Sequence, residues 1–242
     1  MSTVAVLIPW AGECPHRAAA LEHVRGWYGR HFPDWQIHLG TAETGPGWCK
    51  ADAVRSALTQ SDAEILAVAD ADCYAPRIIE AVTAVASGSF AWAMPHYTVH
   101  RLSSQATRQV IEDGTDPSSF PRNVRHYAQM PYTGYAGGGI VIIRREVYLD
   151  CPLDPRFTGW GQEDESWAIA LKSLHGAPWR PTTGPLWHLW HPPQRRVSRA
   201  VGSTASQQLR TAYRKAAREK SMAQHLRPAR AHVREAVVSA GL

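Results

Sequence analysis

Short runs of consecutive apolar residues alternate with stretches of helical periodicity along the first ninety residues of the chain. The runs predict buried strands at residues 4–9, 35–39 and 65–69. The covering helices are predicted from apolar positions at helical spacing: Leu21, Val24 and Tyr28; Ala53, Val54, Ala57 and Leu58; Ile78, Ile79, Val82 and Val85. This alternation indicates an α/β fold with a mostly parallel sheet flanked by helices. Ligands of such sheets bind beyond the carboxyl ends of the strands.

The second half of the chain is less regular. Residues 98–132 are rich in Ser, Pro and Asp, which predicts loops that cover a site. Glycines at 137–139 precede a predicted strand at 140–143, and a helix is predicted from about residue 163 to 174. Residues 209–223 predict a helix that breaks at Pro228 and resumes to about residue 238. We therefore expect a main domain at residues 1–193 and a helical tail at residues 194–242.

Composition narrows the class of protein. A chain of 242 residues with 44% hydrophobic residues suits one α/β domain and excludes a disordered chain. No apolar run has the length of a membrane span, and the first residues lack the basic start of a signal peptide. The four cysteines are widely spaced, which indicates reduced thiols and neither a disulfide framework nor a zinc site. We expect a cytoplasmic protein.

Charge is distributed unevenly along the chain. From Arg195 onward, eleven Lys and Arg residues face two Glu residues, a balance of +9, whereas the preceding residues carry −4. A basic tail of this kind predicts an anionic partner, such as nucleic acid, an anionic surface or another polyanion. Four of its cations recur at helical spacing: Arg210, Arg214, Lys215 and Arg218. The alternative is a solvated helix whose arginine stems cover apolar surface of the body.

Two acidic segments are candidates for chemistry. Asp70-Ala71-Asp72 closes a predicted strand, where a divalent cation could bridge the carboxylates to a diphosphate, or the aspartates could simply begin a turn. Gly159-Trp160-Gly161 lets the backbone approach a ligand and offers a flat ring to a sugar. Glu163, Asp164 and Glu165 follow at the start of a helix. A simple helix cap would account for the acids but not for the adjoining glycines and tryptophan.

A histidine pair completes the set of candidate ligands. His188 and His191 lie in a Trp- and Pro-rich segment, where a packed core histidine is the ordinary alternative. Carboxylate, imidazole and diphosphate oxygens together suit Mn²⁺, with Mg²⁺ as a substitute.

In their order along the chain, these motifs resemble those of glycosyltransferases with the GT-A, Rossmann-like fold. The motifs are Asp70-Ala71-Asp72, Ala136-Gly137-Gly138, Gly159-Trp160-Gly161-Gln162-Glu163-Asp164 and His188. They are most similar to the carboxyl-terminal module shared by β-1,4-galactosyltransferases and polypeptide N-acetylgalactosaminyltransferases. The resemblance runs from about residue 4 to 193. It implies a metal-dependent hexosyltransferase that uses a nucleotide diphosphate sugar, in particular a UDP-sugar.

The resemblance assigns the metal and the nucleotide positions. It implies that Asp72 and His188 ligate the metal and that Asp70 faces the ribose or the waters of the metal. His191 would then lie near the diphosphate or pack. The remaining nucleotide positions implied by the resemblance are Pro9, Trp10, Arg17 and Glu43, of which Arg17 substitutes for a basic residue displaced by Ala11-Gly12-Glu13.

The resemblance also assigns the sugar pocket and the base. Gly137 and Gly138 would line the sugar pocket, and Trp160 would border the donor and acceptor sugars. Asp164 would act as the catalytic base and Glu163 would bind sugar hydroxyls. Because retaining relatives have Glu-Asn where this chain has Glu163-Asp164, inversion of the anomeric centre is expected.

Two alternatives use the same residues or the same charge. A metal-dependent hydrolase or nucleotidyltransferase could employ the aspartates and histidines, although it would have little use for the glycine pair and Trp160. A nucleic-acid-binding protein without transferase activity could be built around the basic tail, but no DNA- or RNA-binding signature supports it.

Overall fold

A central five-stranded sheet organises the fold, in the order β2-β1-β3-β8-β5. The computed structural model describes residues 2–12, 14–43, 47–121, 125–129, 138–159, 161–192 and 202–242, with the backbone alone described for 125–129, 202 and 203. The strands are β1 Val4–Trp10, β2 Gln36–Thr41, β3 Ile65–Ala69, β4 Cys73–Tyr74, β5 Trp92–Ala93, β6 Thr98–Leu102, β7 Arg125–Gln129, β8 Ile140–Arg144 and β9 Pro185–His188. The helices are α1 Pro15–His31, α2 Lys50–Leu58, α3 Ile78–Ala86, α4 Ser104–Glu112, α5 Arg145–Asp150, α6 Glu163–His175, α7 Gly202–Arg218, α8 Met222–His225 and α9 Arg227–Ser239.

The central sheet is mostly parallel, as the alternation of strands and helices predicted. Strand β1 pairs in parallel with β2 and β3, whereas β8 runs antiparallel to both β3 and β5. Strand β8 is therefore the one reversed strand of this sheet. The α/β class is confirmed.

Strands β1 and β3, and β8 up to Ile143, consist of consecutive apolar residues because both faces of the sheet are covered. Ala5 and Leu7 of β1 join a core with α2, α5, α6 and the C-terminal helices. Val6 and Ile8 point the other way and join a core with α1, α3, α4 and a second sheet. Ile79, predicted on the buried face of α3, is instead 49% exposed.

The prediction of loops at residues 98–132 is wrong for part of this segment, because residues 98–112 contain β6 and α4, and residues 125–129 form β7. Between α4 and residue 121 the chain forms loops with one 3-10 turn, at Pro117–Ser119. Helix α4 begins at an N-cap, Ser103, whose side chain accepts a hydrogen bond from the backbone N–H of Ala106. Strand β6 lies in a second sheet of order β4-β9-β6-β7. Its buried residues Val99 and Leu102 are three positions apart, because a register shift between Arg101 and Leu102 breaks the period of two that predicts a strand.

The C-terminal helices pack on the α6 side of the central sheet. Tyr213 is 1% exposed, and its hydroxyl donates to Asp154 Oδ2 at 2.7 Å. Glu165 of α6 pairs with Arg210 and Arg214, two of the four cations expected on one side of the tail. The other buried apolar residues of these helices are Ala216, Met222, Leu226, Ala229, Val233 and Val237. The tail therefore supplies core residues as well as charge.

The break in the tail lies earlier than predicted. Helix α7 ends at Arg218 and the short α8 follows, so Pro228 falls within the first turn of α9. Proline fits a first helical turn because its missing N–H has no partner there in any case. None of the helices within the described parts of the chain is long and apolar enough to cross a membrane.

Gly40 permits the close approach of α2 to β2. A Cβ at this position would lie 1.8 Å from the Ala53 carbonyl oxygen, which is backbone and cannot turn away. We expect Gly40→Ala to lower the free energy of unfolding by about 3 kcal/mol, measured by chemical denaturation. Gly29→Ala is the matched control, because nothing lies within 4 Å of its Cβ and helix α1 should gain up to ~1 kcal/mol. Equal stabilities of the two variants would contradict this account of α2 packing.

Candidate functional site

The carboxyl ends of the parallel strands hold the candidate site. Strand β1 ends at Pro9 and Trp10, which pair with Gly40 and Thr41 of β2, and Asp70 directly follows β3. Strand β8 lies antiparallel to β3, so its beginning, preceded by Gly138, lies at the same edge of the sheet. Parallel strand ends therefore bring segments distant in sequence to one edge.

Asp72 is buried beneath two histidines. His191 Nε2 lies 3.2 Å from Asp72 Oδ2, and His188 Nε2 lies 3.9 Å from Oδ1. The ladder between β4 and β9 sets this arrangement, because Cys73 pairs with His188 and the Leu189 N–H donates to the Asp72 carbonyl. The structure thus brings together the first acidic motif and both predicted histidines.

Both imidazoles are oriented by their second nitrogen. His188 Nδ1 donates to the Leu189 carbonyl at 2.9 Å, and His191 Nδ1 donates to the Pro192 carbonyl at 2.8 Å. In the neutral rings, each Nε2 lone pair is then directed at the Asp72 carboxylate, an arrangement that needs a cation or a proton between them. This orientation is the one that metal-ligating histidines adopt. The donor set therefore fits a divalent metal.

The electrostatics of the cluster keep Asp72 ionised. Although burial acts to raise the pKa of Asp72, the neighbouring His188, His191 and Arg17 outweigh it and hold that pKa well below its usual value. Burial lowers the pKa of His188, which favours its neutral, ligating form. Arg17 also lies with a guanidinium nitrogen 3.4 Å from His191 Nε2, so the predicted basic residue is at the same cluster.

Cys73 belongs to this cluster, although the spacing of the cysteines predicted no metal site. Its Sγ lies 3.3 Å from Asp72 Oδ1, and ligand atoms of Asp72, Cys73 and His188 all lie within 4.8 Å of one another. The thiol is fully buried, and burial together with the charge of Asp72 raises its pKa well above the usual value. All four cysteines are free, as expected. In the sequence, only the position of Cys73 next to Asp72 indicated that it could belong to this cluster.

Lys50 joins the two acidic motifs. This buried lysine, at the start of α2, donates to Asp70 Oδ1 at 2.7 Å and to Asp164 Oδ1 at 2.9 Å. Asp70 Oδ2 also accepts from the Gly139 backbone N–H at 3.2 Å, next to the glycine pair. Asp70 and Asp164 therefore share one ammonium group, a contact that sequence reasoning missed.

The charges around Lys50 shift three pKa values. Burial acts to lower the pKa of Lys50, but the charges of Asp164, Asp70 and Glu163 hold it well above its usual value. Burial raises the pKa of Asp164 despite the nearby lysine. Burial, followed by the charge of Asp164, raises the pKa of Glu163 to about 7. Glu163 Oε2 has no hydrogen-bond partner among the described residues, so it is available to a hydroxyl.

A left-handed turn precedes these acids. Gly159 has φ +75°, Gly161 has φ +103°, and Gln162 has φ +82° although it carries a side chain. Glycine adopts these angles without strain, so the backbone conformation explains why positions 159 and 161 are glycines. Trp160 and Gly137, which were predicted to contact sugars, lie outside the described residues.

Glu43 is exposed and lies just beyond the end of β2. It lines a cavity of about 510 Å³ between that strand end and α2, together with Thr41, Asp52 and Arg55. This cavity is separate from the Asp72 cluster in its lining residues, and it adjoins the strand end predicted to meet the nucleotide base.

The raised pKa of Glu163 predicts a pH-dependent cost to stability. Glu163 holds its proton more tightly in the folded protein than in the unfolded chain. The free energy of unfolding therefore falls as the pH rises from 4.5, the usual pKa of a glutamate, to about 7, and it stays at the lower value above pH 7. We expect Glu163→Gln to raise the free energy of unfolding by roughly 1–3 kcal/mol at pH 8 and little at pH 5. Glu165→Gln is the control of opposite sign, because Arg214 and Arg210 lower the pKa of Glu165 despite its partial burial. Denaturation of both variants at the two pH values checks this, and a Glu163→Gln protein destabilised at pH 8 would contradict it.

The chain is similar to several solved structures. No protein-family model matches the chain, and no curated protein is detectably similar to it. The catalytic domain of Drosophila β1,4-galactosyltransferase 7, in complex with xylobiose, is 16% identical, with 81% of this chain and 74% of that chain covered at a TM-score of 0.46. A mannosyltransferase from Pyrobaculum calidifontis, in complex with GDP-Man and Mn²⁺, is 16% identical, with 99% of this chain and 73% of that chain covered at a TM-score of 0.45.

A third similar structure is the glucosyl-3-phosphoglycerate synthase from Mycobacterium tuberculosis in complex with Mn²⁺, UDP and glucosyl-3-phosphoglycerate. It is 12% identical, with 89% of this chain and 80% of that chain covered at a TM-score of 0.45. The structures that this chain resembles thus include a galactosyltransferase and a mannosyltransferase. At such identities the likeness concerns the fold, and the residues of the site carry the functional proposal.

Proposed function

We propose that the protein is a metal-dependent glycosyltransferase that moves a sugar from a nucleotide diphosphate donor, in particular a UDP-sugar, to an acceptor hydroxyl with inversion. The carrying observation is the ion-paired group of Asp70, Lys50 and Asp164 next to the Asp72–histidine cluster. In this proposal Asp70 acts on the donor and Asp164 on the acceptor. Both carboxylates contact Lys50, although 94 residues separate them in sequence. A single site then handles both substrates.

The cluster of Asp72, His188 and His191 is assigned to the diphosphate end of the donor. Asp72 and His188 would hold Mn²⁺ or Mg²⁺, which as a Lewis acid stabilises charge on the departing diphosphate. Arg17, beside His191, supplies a cation that does not depend on the metal. Asp70 orients the donor next to the Gly138–Gly139 backbone, and Gly137 and Trp160 complete the sugar pocket in this proposal.

The nucleotide is assigned to the ends of β1 and β2. Pro9 and Trp10 end the first of these strands, and Glu43 follows the second beside the cavity described above. This cavity of about 510 Å³ has the size of a small-molecule site. In the proposal, Glu43 accepts a hydrogen bond from the base.

The acceptor proton is assigned to Asp164. Its side chain is 23% exposed, which lets a hydroxyl approach it, while Lys50 favours the ionised form that accepts a proton. Glu163 is buried beside it, and its unpaired oxygen would bind a hydroxyl of the acceptor or the donor. A base placed opposite the leaving diphosphate gives inversion, because the hydroxyl attacks the face that the diphosphate does not occupy.

The test is a panel of nucleotide sugars incubated with Mn²⁺ or with a chelator, with products resolved by mass and anomeric configuration. Transfer with inverted configuration that requires the metal supports the proposal. Release of free sugar and nucleotide diphosphate in the presence of every acceptor would support a hydrolase. Release of sugar 1-phosphate, with the nucleoside monophosphate joined to the acceptor, would support a nucleotidyltransferase. Retained configuration would overturn the role of Asp164.

A polyanionic acceptor, such as nucleic acid, is the finer part of the proposal. Arg210 and Arg214 pair with Glu165. In the described part of the tail, the exposed cations left for such an acceptor include Lys220 and three arginines, Arg218, Arg227 and Arg234. Phosphate contacts release counterions, so transfer to a polyanion should fall steeply with salt. Replacing these three arginines with serine should flatten that dependence and leave transfer to a small acceptor unchanged. An unchanged salt dependence would remove the tail from acceptor binding.

A further inference from the structure

Cys73 presents its sulfur to the same carboxylate oxygen as His188. Its Sγ is 3.3 Å from Asp72 Oδ1, and His188 Nε2 is 3.9 Å from that atom. The three ligand atoms lie within 4.8 Å of one another, and Asp72 and Cys73 are buried. Antiparallel pairing of Cys73 with His188 fixes their separation through the backbone.

These separations match the edges of a tetrahedral metal site. With metal–ligand distances of about 2.0–2.3 Å, tetrahedral ligand atoms lie about 3.3–3.8 Å apart. The separations of 3.3 Å and 3.9 Å around Asp72 Oδ1 are close to this range. The His188 ring already directs Nε2 inward, because its Nδ1 donates to the Leu189 carbonyl.

We propose that Cys73 is a metal ligand, and that Asp72, Cys73 and His188 form a three-residue site for a thiophilic divalent cation such as Zn²⁺ or Co²⁺. Carboxylate, thiolate and imidazole are the ligands that Zn²⁺ prefers, and three protein ligands leave a fourth position open. On binding, the thiol releases its proton to solvent and the sulfur bonds to the metal, with no change in oxidation state. Without the metal, the thiol donates to Asp72 instead.

The same cluster would bind hard and thiophilic metal ions through different sets of ligands. A hard ion such as Mn²⁺ draws on the oxygen and nitrogen ligands, whereas a thiophilic ion gains the sulfur as well. Cys73 therefore determines how strongly the site discriminates among metals. Binding of the metal alone is independent of the proposed glycosyl transfer and can be measured in a protein that transfers no sugar.

The test is titration of the metal-free full chain with Co²⁺ and with Zn²⁺. Co²⁺ should give an intense thiolate-to-cobalt charge-transfer band in wild type that is lost in Cys73→Ser. Zn²⁺ affinity should fall by at least about 10-fold in this variant, whereas Mn²⁺ affinity should change little. The matched control is Cys151→Ser, which removes another buried thiol and should keep the band.

A Cys73→Ser protein that keeps the charge-transfer band and the Zn²⁺ affinity would overturn the proposal. Should this variant fail to fold, X-ray absorption of the wild-type zinc protein decides, since a sulfur neighbour at about 2.3 Å is required. A zinc shell of nitrogen and oxygen alone would overturn the proposal. Neither result bears on the proposed glycosyl transfer, because these metal-binding experiments contain no sugar donor.

Discussion

Replacing Asp72 with asparagine is expected to reduce metal-dependent sugar transfer by roughly 10³-fold or more, because several kcal/mol of charge stabilisation are lost. Asparagine keeps the shape of the side chain but removes the charge that His188, His191 and Arg17 surround. His188→Ala should have a similar effect, since it removes a neutral imidazole directed at the same place. Initial rates at saturating donor, with metal varied, measure both variants.

The control for these variants is Asp34→Asn, an exposed aspartate outside the cluster, which should keep the wild-type rate. Metal titration followed by intrinsic fluorescence tests binding separately from turnover. Transfer that remains stimulated by metal in both Asp72→Asn and His188→Ala would overturn the assignment of these residues as ligands.

Asp164→Asn is expected to lower the rate of transfer by roughly 10²–10⁴-fold while donor binding survives, because only proton acceptance is lost. Donor affinity by calorimetry and single-turnover rates with saturating acceptor separate the two effects. Glu165→Gln, at the next position, is the control, because its carboxylate pairs with Arg210 and Arg214. An Asp164→Asn enzyme with the wild-type rate would exclude Asp164 as the base.

Lys50→Met provides a second test of Asp164 as the catalytic base. Removing the ammonium leaves burial and the charge of Asp70 to raise the pKa of Asp164 further. Because the base must be ionised to accept a proton, the acid limb of the pH–rate profile should move to higher pH. A reduced rate with an unmoved acid limb would indicate that Lys50 acts on the donor through Asp70 and not on the base.

The strands of the central sheet could be predicted because burial on both faces produces unbroken apolar runs. The runs ending at Pro9 and Ala69 have lengths typical of strands and end in residues that break the pattern. The approach of Asp72 to His188 was implied by the resemblance to GT-A glycosyltransferases, and the structure places the two residues in the same cluster. Local pattern was sufficient for the strands, whereas this contact required the resemblance.

Other features depend on contacts that no local pattern records. No local pattern links Lys50 to the two acidic motifs, and their contact becomes visible only when β3 and α6 bring two carboxylates to its ammonium. Cys73 likewise needs the pairing of β4 with β9, across 115 residues of sequence. Strand β6 was missed because the adjacent polar residues His100 and Arg101 break the alternation of polar and apolar positions, where the pairing with β7 shifts register.

The ion pairs between the tail and α6 have a consequence for synthesis of the chain. Arg210 and Arg214 follow Glu165 by 45 and 49 residues. At roughly 5–20 residues per second, translation leaves α6 without these partners for a few seconds. Helix α6 carries Glu163 and Asp164, and Tyr213 completes the same core. A nascent chain that has reached only α6 therefore has the acidic motif but not its final packing, and maturation of the site waits until α7 has been translated.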